Sequence, residues 1–110
     1  MSEDIERILD LRRTGFGFLH HHDENDQVIA VQAVRIRAGH IETVLIHGED
    51  EALAARCRDD DHAAVLWHQA GTTADVIAAL LDLPTPGTQH APALGRTAPT
   101  DLWLPHSSSR

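Results

Sequence analysis

Three consecutive histidines, His20, His21 and His22, run into Asp23, Glu24, Asn25 and Asp26, and they are the residues of this chain best suited to chemistry. Along an extended segment side chains alternate between two sides, so His20 and His22 share one and His21 takes the other. Such a pair offers two imidazoles to one ion, and a catalytic zinc asks for at least three protein ligands. Glu24, Asp26 and His47 are the candidates for the third place. The metal-site expectation is therefore His20, His22 and His47 around a divalent ion, with no other cofactor implied. The competing expectation is the solvated end of a hairpin with no cofactor at all, and the histidine residue type also suits pH sensing.

Register decides between these. A two-residue loop at Ala38 and Gly39 would put His47 on the side of His21, and a three-residue loop would put it on the side of His20 and His22. With one strand between them, the first and third strands lie roughly 10 Å apart, which is long for ligands of one ion.

Other reactive groups are isolated. Cys57 is the single cysteine, so no internal disulfide is possible. It is followed by Arg58, three aspartates and His62, but its spacing from Leu53 puts it on a buried stripe, where a thiol acts as a small apolar group. Gly15-Phe16-Gly17 opens a strand and is not followed by a helix, so it is no phosphate loop. Arg12, Arg13, Arg35 and Arg37 form the one basic group worth testing as a weak nucleic-acid contact. Against that stands a net charge of −8, which repels phosphate over the molecule as a whole. Nearby acids are the simpler partners for these arginines.

The elements that must position these residues are legible from periodicity. Ser2 can cap a helix carrying Ile5, Ile8 and Leu9, with acids in its first turn, and Gly15 ends it. "GFGFLHHH" then reads as a strand, and "VIAVQAVRIRAGHIETVLIHG" as two more joined at Ala38 and Gly39. Ile29, Val31 and Ala33 fall on one side of the second strand and Val34 and Ile36 on the other, so either both faces are covered or a bulge near Ala33 changes the phase.

"EDEALAARCR" reads as a short helix with acids first and arginines last. "AAVLWHQ" is a fourth strand. "TTADVIAALLDLP" is a helix begun by Thr72 and Asp75 and stopped by Pro84. The expected fold is a small two-layer α+β domain over residues 1–83, in the order α-β-β-β-α-β-α, an antiparallel meander plus a fourth strand. Its first five elements follow the order of a double-stranded RNA-binding domain. That module reads phosphates through a lysine-rich last helix, whereas the corresponding segment here is acid-rich and the chain has no lysine.

All five prolines lie in residues 84–110, which are expected to form an extended arm with a disordered end. Within it Leu102, Trp103 and Leu104 stand between prolines, and the tryptophan gains about 2–3 kcal/mol by being covered, either by the chain's own sheet or helix face or by a partner, which makes the three the candidate partner-binding residues. Acidic Met1-Ser2-Glu3-Asp4 does not resemble a signal peptide and no apolar run is long enough to span a bilayer, so a bacterial cytoplasmic protein is expected. The function expected is a non-enzymatic interaction or regulatory module, contacting a partner or a second copy of itself through a sheet face or the Trp103 arm. A homodimer suits an Ala-rich core of this size. The metal protein using His20 and His22, and the nucleic-acid binder, are the alternatives.

Overall fold

The computed structural model describes residues 3–88 and 90–92. Two helices and five strands follow in the order α1 (Glu3–Arg13), β1 (Gly17–His22), β2 (Val28–Arg37), β3 (His40–Gly48), β4 (Glu51–Arg58), β5 (Val65–Gly71) and α2 (Thr73–Leu81). The strands form one antiparallel sheet in sequence order, β1-β2-β3-β4-β5. This is the α+β meander expected, carried one strand further.

Helix α1 begins with Glu3, Asp4 and Glu6 and ends with Arg12 and Arg13, which suits the helix dipole at both ends. Its C-terminus closes as a Schellman motif: Phe16 N–H donates to the Leu11 carbonyl at 3.1 Å and Gly15 N–H to the Arg12 carbonyl at 3.2 Å. Gly15 supplies the required positive φ of 98°. The same turn brings Phe16 and Leu11 together in the core. The expected cap, Ser2, lies outside the described residues.

The first two hairpins follow from their turn chemistry. Asp23 accepts backbone N–H bonds from Asn25 and Gln27 at 2.8 and 3.0 Å and so closes the β1–β2 turn. Ala38 and Gly39 have φ of 50° and 72°, and Arg37 pairs with His40, which makes this the two-residue connection whose twist matches its strands. The phase change in β2 falls at Ile29, between the pairs His21 with Ala30 and His22 with Val28, and not near Ala33.

Residues 51–58, expected as a helix, form the strand β4. Leu53 and Cys57 are four apart, a spacing that suits a helix stripe as well as one face of a strand, and alanine favours the helix by intrinsic propensity. Burial overrides that preference: every residue from Ala52 to Cys57 is buried, as in a central strand covered on both faces. The alanines have a further use. Ala52 and Ala54 share the core with Val76, Ile77 and Leu80, so their small side chains allow α2 to sit close over β4.

Helix α2 begins where Thr72 Oγ1 accepts a bond from Asp75 N–H at 3.1 Å. Thr73 ties this end to the β3–β4 connection through its hydroxyl to the Gly48 carbonyl and its N–H to the Glu49 carbonyl. Both helices lie on one face of the sheet, over Ala33, Val44, Ala52 and Ala54. The other face carries a smaller cluster of Ala55, Cys57 and Val65. After α2, Leu83 packs against the main core and Pro86 is buried, so the start of the Pro-rich segment lies against the domain.

Candidate functional site

The centre of the charge chemistry is Glu42, a residue the sequence reading passed over. It sits on β3 beside Arg35 of β2 and Arg56 of β4, which are its partners in register on either side. Arg35 Nε donates to Glu42 Oε1 at 2.8 Å, Arg37 Nε to the same oxygen at 3.0 Å, and Arg56 Nη2 to Oε2 at 2.7 Å. Glu42 and Arg56 are fully buried, Arg35 is nearly so and Arg37 reaches solvent.

The remaining donors of the buried guanidiniums are also used. Arg56 Nη1 donates to the Pro84 carbonyl at 2.7 Å and Arg35 Nη1 to the Thr14 carbonyl at 2.7 Å, while the Arg35 guanidinium lies over the Phe16 ring. One cluster thus joins the end of α1, three strands and the segment after α2. Burial alone would raise the Glu42 carboxyl pKa, but hydrogen bonds from Arg56, Arg37 and Arg35 together outweigh it and hold the group below its ordinary value. Among the described residues three cations face one carboxylate, which leaves a net positive centre with Arg37 its most accessible member.

Of the four arginines considered as a nucleic-acid patch, Arg35 and Arg37 are thus bound to Glu42, and Arg13 is paired with Asp10 at 3.1 Å. Arg12 lies over the Phe18 ring, 5.7 Å from its centroid.

The histidines divide between the faces. His20 and His22 keep to the helix-bearing side of β1, with His20 across from Val31. The two-residue loop at Ala38 and Gly39 puts His47 on the opposite face, the side of His21. His20 and His22 therefore share one side of β1, and His47 lies on the other face of the sheet. His21 instead heads a polar ladder, in which its Nε2 donates to Gln32 Oε1 at 2.8 Å and Gln32 Nε2 donates to Thr43 Oγ1 at 2.9 Å. His47 lines a hollow of about 340 Å³ with Leu45, Glu51, Leu53, His68 and Ala70. Among the described residues no group of three histidine, cysteine or acidic side chains could hold a metal ion.

Cys57 is fully buried, and burial pushes its thiol up to about 11. Leu102, Trp103 and Leu104 lie outside the described residues. No described helix is long and apolar enough to cross a membrane. In comparisons with protein-family models, with curated proteins and with solved structures, nothing matches this chain.

Proposed function

We propose that the protein is a non-enzymatic interaction module that pairs with a second copy of itself through the β1–β2 end of its sheet. One observation carries this reading: of the five large apolar side chains exposed among the described residues, Leu19, Val28, Ile29 and Ile36 all belong to β1 and β2. Exposed aliphatics scattered singly need no explanation, whereas four on two adjacent strands at one end of a sheet favour a partner. Among the described residues strand β1 is paired on one side, and its other side offers backbone donors and acceptors to a further strand. A twofold pairing of two such edges is self-complementary and would continue the sheet. Leu19 and Ile36 lie on the face away from the helices, where Leu19 is across from Gln32 and Ile36 from Ile41.

The test is native mass spectrometry with light scattering over a concentration series, on wild type, Leu19→Glu, Ile36→Glu and a control, Ile5→Glu, whose residue is exposed on α1. The expected result is a dimer for wild type and control and a monomer for the two strand variants, all with unchanged circular dichroism. A wild type that stays monomeric throughout, or strand variants that stay dimeric, overturns the reading. Trp103→Ala belongs in the same series: loss of the dimer there, with both strand variants intact, would transfer the contact to the arm.

A further inference from the structure

A second feature is independent of that pairing. Between α1 and the first three strands is a cavity of about 300 Å³, lined by Ile8 and Arg12 of α1, Phe18 and His20 of β1, Val31 of β2 and Ile46 of β3. We infer that this cavity is a binding site for a small aliphatic carboxylate, with its chain on Ile8, Phe18, Val31 and Ile46 and its carboxylate on Arg12 and His20.

The lining divides into two chemistries. Four residues are apolar, and the volume lies at the lower end of the range of about 300–1,000 Å³ usual for small-molecule sites. The two polar residues, Arg12 and His20, are both exposed, so they stand where the cavity meets water. A ligand with an apolar body and one polar end matches that division.

The sign of the polar end follows from the ion pairs of α1. Asp10 holds both neighbouring arginines, Arg7 at 3.3 Å and Arg13 at 3.1 Å, and Glu3 lies 3.9 Å from Arg7. Arg12 has no carboxylate partner among the described residues, and its guanidinium rests 5.7 Å from the Phe18 ring centroid, above a wall of the cavity. A cation held there by an aromatic face has its donors available to an anion. The imidazole of His20, on the same side of β1, can give one more hydrogen bond.

The test uses octanoate and its neutral counterpart octanol as probes on the full chain, followed by methyl and amide NMR and by calorimetry. Octanoate is expected to give saturable shifts at Ile8, Phe18, Val31 and Ile46. Arg12→Gln should weaken octanoate about tenfold, the scale of one charge-assisted bond, and leave octanol unchanged. Val31→Phe, which fills the cavity, should abolish both while the rest of the spectrum stays folded. No saturable shift in wild type, shifts confined to the hollow around Leu45 and His68, or Arg12→Gln binding octanoate as wild type does would each overturn the inference. The two readings fail separately, because the pairing is tested at Leu19 and Ile36 on the face away from the helices, whereas the cavity is tested at Arg12 and Val31.

Discussion

Glu42 Oε2 lies 2.7 Å from Arg56 Nη2, on neighbouring strands and with both side chains fully out of solvent. A buried pair of this kind adds little over an apolar pair of the same shape, but removing one partner leaves a desolvated charge. Among the described residues Glu42 is the one acid paired with three arginines of the cluster, so its loss is the more costly. Glu42→Gln should lose about 3–5 kcal/mol, a large part of the stability of a domain this size. Urea unfolding followed by circular dichroism measures this, and a loss below about 1 kcal/mol would mean that water already screens the cluster.

The same carboxylate sets an acid limit. Its folded pKa is depressed below the ordinary 4.5, so the folded state holds the ionised form more tightly than the unfolded chain does. The stabilisation is fully present above about 4.5 and is lost as pH falls through the lower, folded value. In a comparison of denaturation midpoints from neutral to acid pH, the gap between wild type and Glu42→Gln should therefore close only below that point. A gap that narrows between neutrality and pH 5 would contradict the depressed value.

This cluster also marks how far the sequence could be read. Arg35, Arg37 and Glu42 flank a two-residue turn that was legible from Ala38 and Gly39, and the register of that turn already puts Arg35 across from Glu42. The pairing of arginines with nearby acids was thus foreseeable in kind. The third arginine was not, because Arg56 lies on the segment read as a helix. Ala-rich "EALAARC" satisfies the spacing of either element, and only the tight cover of α2 over Ala52 and Ala54, a contact distant in sequence, selects the strand. The outer helices, the meander and the side of His47 under a two-residue loop depend on local signals and were readable. The cavity under α1 was not, since it arises from how a helix sits over three strands.

Strand β4 supplies a further test through Cys57. The thiol has a folded pKa of about 11 against an ordinary 9.0, because burial disfavours the thiolate. A raised folded value means that stability is intact below the unfolded pKa and is lost as pH rises from about 9 towards 11, at about 1.4 kcal/mol per pH unit. Cys57→Ala removes this alkaline slope at the expense of a small cavity. At pH 8 the native thiol should react with Ellman's reagent only as fast as the protein unfolds, and full labelling within seconds would show that the site opens locally.

The opposite placement of His20 and His47 makes the metal reading separable into two parts. Two imidazoles at alternate positions of β1 can share an ion without help from β3, but two ligands bind more weakly than a closed set of three or four. Zinc titration of untagged protein should therefore show an affinity lowered by His20→Ala and by His22→Ala but indifferent to His47→Ala, which faces the hollow with Glu51 and His68. Calorimetry at neutral pH distinguishes the cases. Equal losses from His20→Ala and His47→Ala would require both to ligate one ion, and that demands a register one residue away from the pairing of Arg37 with His40.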